Sequence, residues 1–195
     1  MPAGLSTPLL DDPRALAVLD CVVQRCAWWA GRSSEPEGVG HGLAWARYKN
    51  SGAWCAVLAR VQLGHLGQAL RVLDLELAVD VGMVVDLDGV INQIEGGALQ
   101  SLSWTLKEQV AFDAQAVTST DWPAYPVLRF SEVPALRVHV LDRPDEAPLG
   151  AGEAAQGPVA AALANALHDA LGVRVRSLPM NADNILRAVH AADAT

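Results

Sequence analysis

The chain has 195 residues, 51% of them hydrophobic, and a formal net charge of −8 with its acids spread along the length. That much apolar content excludes a disordered tail, and the lack of any basic run argues against nucleic acid or an anionic membrane as partner, because phosphate recognition needs clustered Lys and Arg. No apolar run approaches the ~20 residues that span a bilayer, so no transmembrane segment is expected.

The N-terminal stretch "MPAGLSTPLLDDPR" has no basic region leading into an apolar one, so it does not read as a signal peptide. "DDPRALAVLDCVVQRCAWWA" reads as a helix, with Asp12 as N-cap and Pro13 at the first helical position. Leu16, Leu19, Val23 and Ala27 recur at helical spacing, and Gly31 is the expected stop before the linker "RSSEPEGVG". Two strands, "HGLAWARYK" and "AWCAVLARVQL", flank the turn signal "NSG". After a turn at "HLGQ", the stretch "ALRVLDLELAVDVG" alternates. Arg71, Leu73, Leu75, Leu77 and Val79 form one face; Val72, Asp74, Glu76, Ala78 and Asp80 form the other. An apolar face and a partly wet one imply an antiparallel sheet covered on one side.

The covering element is expected in "DLDGVINQIEGGALQSLSWTLKEQV", a long helix with Asp88 near its start and a core stripe of Ile94, Ala98, Leu102 and Leu106. Its second face is unusual: Gln93, Gly97 and Gln100 lie together, with Gly96 beside them. A helix-interior glycine costs about 1 kcal/mol relative to alanine. Two in a row point either to tight packing against another backbone or to a bulky ligand. The stretch "FDAQAVTSTDWPAYPVLRFSEVPALRVHVLDRP" reads as a short strand, a long loop and the strand "ALRVHVL". Trp122 and Tyr125 either anchor a partner or pin their own loop. In "PLGAGEAAQGPVAAALANALHDALG", Pro158 fits a first helical turn, Val159, Leu163, Leu167 and Leu171 form a buried stripe, and Gly172 is a C-terminal stop. Glu153 lies just ahead of this helix, after glycines 150 and 152. It is either a helix-start acid favoured by the partial positive charge there or a carboxylate presented to something.

Cys21, Cys26 and Cys55 contain no C-x-x-C pair, so reduced, buried thiols are expected rather than zinc or iron–sulfur ligands. His41, His65, His139, His168 and His190 are scattered without metal-binding spacing. The pattern as a whole predicts an α+β fold: an antiparallel sheet over about residues 38–81 covered by the helix of about 88–108. A second, smaller α/β lobe is expected to hold the strand near 136–141 and the helix near 158–171.

Taken together, "INQIEGGALQSLSWTLKEQ", "YPVLRFSEVP" and "GAGEAAQGPVAAALANALHDALG" resemble the C-terminal part of the molybdopterin-binding large subunit of the xanthine dehydrogenase/aldehyde oxidase family. The branch most resembled is that of bacterial N-heterocycle hydroxylases, the nicotinate dehydrogenase/isoquinoline 1-oxidoreductase-like group. The resemblance runs from about residue 12 to 190. It implies residues 1–37 as an N-terminal helix and linker and 38–195 as a molybdopterin-binding domain of the aldehyde oxidase/xanthine dehydrogenase type. The glutamate of the family's G-x-G-E stretch, here Glu153, is implied as general base. Gln93 is implied as a cofactor contact, and Gly96, Gly97 and Gly152 are expected to bind the cofactor with it. Ala154 and Ala155 stand where xanthine-type members have two prolines, which argues against a purine substrate.

The implied reaction oxidises an N-heterocycle or an aldehyde, with water as the oxygen source. The implied cofactors are molybdopterin, in a dinucleotide form and shared with a missing lobe, and [2Fe-2S] clusters on a partner chain, since no cluster ligands are present. The implied partners are the remaining part of the large subunit and an iron–sulfur small subunit. A soluble protein of the bacterial cytoplasm or periplasm is expected. The family's upstream Gly-Gly-rich loop and further glutamine-bearing loop have no counterpart in this sequence. The chain is therefore read as a terminal lobe: a split subunit, a truncated product or a fragment. The alternative is a cofactor-free remnant, inactive or only partner-binding.

Overall fold

The structure, a computed structural model, describes residues 11–64 and 70–193, so the turn read at "HLGQ" and His65 lie outside the described residues. Helix α1 (Pro13–Arg25) begins as expected: the Asp12 carboxylate accepts from the N–H groups of Arg14 and Ala15, and Pro13 takes the first position. It ends at Cys26, well before Gly31, which sits in a short 3₁₀ turn, Trp29–Ser34. The buried stripe is Ala15, Val18, Leu19 and Val22. Only Leu19 of the expected stripe is fully buried, and Ala27 is exposed. The observed set follows the i, i+3, i+4, i+7 rule more closely than the expected one.

The sheet has the order β1-β2-β3-β4, with β1 (Val39–Arg47), β2 (Trp54–Leu63), β3 (Leu70–Asp80) and β4 (Ala135–Leu141). The first three strands run antiparallel, and β4 joins β3 in parallel. The α+β class is borne out, but the second lobe is not: β4 extends the first sheet. Its Leu136, Val138 and Val140 pack on the main core, and its backbone pairs the otherwise open edge of β3.

A second correction concerns the covering helix. Helix α3 (Gln156–Leu171) lies across β1 and β2, while α2 (Leu87–Leu106) packs beside α3 and toward β4. Glycines decide this. A Cβ at Gly40 would fall 2.1 Å from the Ala166 carbonyl oxygen, and one at Gly42 would fall 1.9 Å from that of Ala162. Glycines on β1 and alanines on α3 thus bring helix and sheet into backbone contact, which no larger pair permits. Val159, Leu163, Ile94, Ala98 and Leu102 close this core as the helical stripes predict, and Gly172 ends α3 in the left-handed region at φ 71°.

The third correction concerns the expected wet face of β3. Helix α1 covers it, packing on Trp54, Ala56, Leu58 and Ala78. Asp74, Glu76 and Asp80 are buried there. Arg60 pairs with Asp74, Arg137 and His139 with Glu76, and Arg14 and Arg143 with Asp80. Buried charges persist only when partnered this way. The strand also carries a bulge: Arg60 faces Asp74 but Val61 faces Val72, which leaves Leu73 as the extra residue and returns Val72 to the core side.

Helix α4 (Ala182–Asp193) follows α3. It starts at Asn181, whose side chain accepts from the Asn184 N–H at 3.0 Å, and its Ile185 packs with Leu167, Val175 and Met180. Between α2 and β4 the expected short strand is only a single bridge, Phe112 to Val117, within a largely exposed loop. Tyr125 pins that loop by donating to Glu108, whereas Trp122 is 76% exposed. The three cysteines carry no disulfide, and burial raises their thiols, Cys26 to about 11 and Cys55 to about 12.

Candidate active site

The segment after β4 folds back along the end of β3, where the Leu149 N–H donates to the Val81 carbonyl at 2.7 Å. It then forms the tight turn that leads into α3. Ala154 and Ala155 turn inward and are buried, while Gly150, Gly152 and Glu153 are exposed. The apolar pair anchors the turn, and the carboxylate is left outside. The Ser101 hydroxyl of α2 fixes the start of α3 by donating to the Gln156 carbonyl at 2.7 Å.

Glu153 does not cap α3. The N-cap position is Ala155, and no side chain caps the helix. Instead the Tyr48 hydroxyl donates to Oε2 of Glu153. Tyr48 stands at the tip of the β1–β2 hairpin, where Lys49 and Asn50 adopt left-handed φ values of 49° and 57°. An open depression of about 380 Å³ lies between the two segments, lined by Tyr48, Lys49, Ser51, Gly52, Gly152 and Glu153.

Gln93 is exposed on α2 and borders an adjoining recess with Met83, Val85, Leu149 and Ala151. Its Oε1 lies 3.9 Å from the point a Cβ on Gly152 would occupy. Gly97 is buried beneath the same turn, its own virtual Cβ 3.5 Å from the Gly152 carbonyl oxygen. Gln100 and Gln156 tie the two elements together, with Gln156 Nε2 donating at 2.8 Å. The second face of α2 therefore carries the Glu153 turn. Gly97 packs against the protein itself, whereas a Cβ at Gly96 would meet nothing within 4 Å. The tight-packing reading holds for Gly97, and Gly96 faces open surface.

Four of the five residues singled out from sequence thus converge. Gly152 touches the surroundings of Gln93 and Gly97, Glu153 follows it in the chain, and Gly96 faces the open side. Sequence reasoning missed Tyr48, which lay near the end of a stretch read only as the strand "HGLAWARYK". It also missed Gln156, whose partner Gln100 was placed on the right face. A larger cavity of about 540 Å³ lies at the opposite end of β3, between Leu70, Leu106, Leu128, Pro134 and Met180. None of the singled-out residues lines it.

The exposed face suits a polar, planar cofactor. The Gln93 amide has no hydrogen-bond partner among the described residues and offers both donor and acceptor. The surface over Gly96 and Gly150 has no side chain in the way. Met83, Val85 and Leu87 add an apolar rim that is 38%, 80% and 54% exposed.

The family profile described as "molybdopterin cofactor-binding domain" matches residues 27–134, more than half of the chain. The chain belongs to this family. The matched stretch contains Gln93, Gly96 and Gly97 and ends ahead of the Glu153 turn. Over 192 aligned residues the chain is 39% identical to a nicotinate dehydrogenase subunit of Pseudomonas putida, covering 92% of this chain and 16% of that protein. It is 34% identical to the beta subunit of isoquinoline 1-oxidoreductase from Brevundimonas diminuta, covering 88% of this chain and 22% of that one. The crystal structure of quinoline 2-oxidoreductase from Pseudomonas putida 86 superposes with a TM-score of 0.66 at 28% identity, over 71% of this chain and 19% of that chain. The chain therefore spans about a fifth of the length of these relatives. All three comparisons agree with the resemblance carried by the sequence motifs. No helix among the described residues is long and apolar enough to cross a membrane.

Proposed function

We propose that this domain forms one wall of the active site of a molybdenum hydroxylase acting on an N-heterocycle or an aldehyde, with Glu153 as general base. The overall conversion replaces a substrate C–H bond by C–OH; water supplies the oxygen, and two electrons and two protons leave. The molybdenum carried by molybdopterin, in a dinucleotide form held by Gln93, Gly96 and Gly152, would supply the two-electron acceptor, and [2Fe-2S] clusters on an iron–sulfur small subunit would take the electrons onward.

Within this chain, Gln93 holds the cofactor by its amide, and Gly96 and Gly152 let it approach the backbone closely. Gly97 acts from beneath, by seating the Glu153 turn on α2. Glu153 accepts a proton at its carboxylate. The rest of the large subunit covers the face around Gln93, where Met83, Val85 and Leu87 stand exposed. That cover removes water from Glu153 and makes its charge count for more.

The observation that carries this reading is that the turn buries Ala154 and Ala155 and leaves Glu153 exposed, next to the Gly152 that neighbours Gln93 and without a side-chain bond to the helix it precedes. The nicotinate and isoquinoline relatives support a non-purine N-heterocycle as the substrate, with an aldehyde as the alternative. The test is turnover per bound molybdenum in the assembled enzyme carrying Glu153→Gln. A positioned base contributes about 10²–10⁴-fold, and a loss of that order is expected with molybdenum content unchanged. Near-normal turnover would overturn the assignment. The isolated chain is expected to retain no molybdopterin, because one open wall cannot bury a cofactor of that size.

A further inference from the structure

We propose that Tyr48 is a positioning residue for Glu153: its hydroxyl holds Oε2 and so turns the other carboxylate oxygen, Oε1, toward the reacting molecule. The proposal rests on the reading of Glu153 as base. The bond joins residues 105 apart in sequence, the tip of one hairpin and the turn ahead of α3. It is the only side-chain hydrogen bond of Glu153 among the described residues. A carboxylate on a glycine-flanked turn rotates freely unless one oxygen is held, and a base is effective only when its lone pair is aimed within a fraction of an ångström. A neutral phenol suits this task. It orients the carboxylate by donating to it and does not consume its charge in an ion pair.

The hairpin tip is built around the tyrosine. The Tyr48 N–H donates to the Ala53 carbonyl at 2.9 Å, and its own carbonyl accepts from the N–H groups of Ser51 and Gly52. Gly52 leaves room for the ring: a Cβ there would lie 3.3 Å from ring Cδ1 and 3.0 Å from the Tyr48 carbonyl oxygen. The Lys49 ammonium lies 5.1 Å from the ring centroid, in attractive cation–π range. Lys49 adopts its left-handed φ of 49° without being a glycine or an asparagine. Strain of this kind persists only where the surroundings over-determine the conformation, and it concentrates at functional sites. Here it serves to close the hairpin with the phenol aimed across the gap at Glu153.

Two measurements test the proposal. The first uses the chain as it is. It contains two tyrosines, Tyr48 and Tyr125, so tyrosine labelled with ¹³C at Cζ gives two resonances. Glu153→Ala is expected to move the Tyr48 resonance and leave that of Tyr125 in place; an unmoved Tyr48 signal would overturn the contact and with it the proposal. The second uses the assembled enzyme. Tyr48→Phe is expected to lower kcat by about 10–100-fold with KM and molybdenum content nearly unchanged. The same exchange made on Glu153→Gln is expected to cost less than about 2-fold, because there is no base left to aim; coupled residues are non-additive in this way. Equal losses in both backgrounds, or normal kcat in Tyr48→Phe while Glu153→Gln is inactive, would sink the role of Tyr48 and leave Glu153 as base. Normal turnover in Glu153→Gln would remove the base itself, and the positioning role with it.

Discussion

Asp80 and Glu153 are both acids at the edge of a secondary-structure element, and the fold treats them oppositely. Asp80 ends β3 with no exposed surface and accepts from Arg14, Arg143 and the Gly82 N–H. Glu153 is exposed and, among the described residues, has a single neutral side-chain donor. The same contrast separates Asp74 and Glu76, enclosed by Arg60, Arg137 and His139, from the turn ahead of α3. A carboxylate saturated with cationic partners is committed to the structure. One left with spare acceptor capacity remains open to bind or to take a proton. What marks a site in this molecule is incomplete satisfaction rather than charge.

The largest expected effect is a direct break of this contrast. Removing Asp80 by Asp80→Ala leaves two guanidinium groups facing a dry pocket, and breaking a buried pair costs roughly 3–5 kcal/mol. The lower end applies here, because Arg14 and Arg143 keep 19% and 39% of their surface in solvent. Glu153→Gln is expected to change stability by no more than about 0.5 kcal/mol, as surface exchanges do. Urea unfolding of both variants checks the pair of values, and equal losses would erase the distinction.

The next effect tests the contact that seats the turn. The virtual Cβ at Gly42 falls 1.9 Å from a backbone oxygen of α3, so Gly42→Ala forces the helix off the sheet. Overpacking of this kind costs typically about 1–3 kcal/mol. Because α3 carries the Glu153 turn at its start, the Tyr48–Glu153 bond is expected to weaken as well. A shifted Tyr48 resonance in Gly42→Ala would report it. A variant with wild-type stability would mean that α3 slides without cost.

Much of this fold could be read locally. Asp12 with Pro13, the four-residue steps of α2 and the stop at Gly172 are signals confined to a few residues, and each is found where it was read. The pairing of β4 with β3 was not legible, because nothing within "ALRVHVL" states which edge it will join. The burial of Asp74, Glu76 and Asp80 was not legible either: the arginine and histidine partners lie 14 to 66 positions away. Helix α4 was overlooked although "MNADNILRAVHAAD" contains a cap and an apolar repeat. For the site, Gln93, Gly97, Gly152 and Glu153 were linked by motif resemblance, and the structure adds that α2 and the turn touch. Tyr48 carried no sequence signal beyond its place next to a turn, since its partner is 105 residues away.

A smaller effect follows from pH. Burial pushes the Asp80 carboxyl up, and the hydrogen bonds from Arg14, Gly82 and Arg143 more than offset this, so it titrates below the ordinary carboxylate range. An acid depressed in the folded state contributes stability that is fully present above its unfolded value, about 3.9, and is lost as pH falls through the folded one. Stability is therefore expected to decline below about pH 4. Part of that decline is expected to vanish in Asp80→Asn, which has no carboxyl to protonate, and Glu153→Gln is expected to keep it. A series of urea midpoints between neutral and acid pH separates the two variants. An unchanged acid limb in Asp80→Asn would show that Asp80 is not the group responsible.

The smallest effect carries the contrast from acids to glycines. Gly96 is an exposed, interior position of α2, and a Cβ there meets nothing within 4 Å. Glycine costs a helix about 1 kcal/mol relative to alanine, and no contact among the described residues offsets that cost. Gly96→Ala is therefore expected to stabilise the isolated chain by about 0.5–1 kcal/mol. If the vacant surface is where molybdopterin or the rest of the large subunit comes close, the same methyl group should lower molybdenum content after assembly. Gain in one measurement with loss in the other is the pattern of a residue kept for a ligand at the expense of its own helix. Gain in stability with full metal content would remove Gly96 from the cofactor contacts. It would leave Gln93 and Gly152 as the contacts on this wall, with Gly97 beneath them as the seat of the turn.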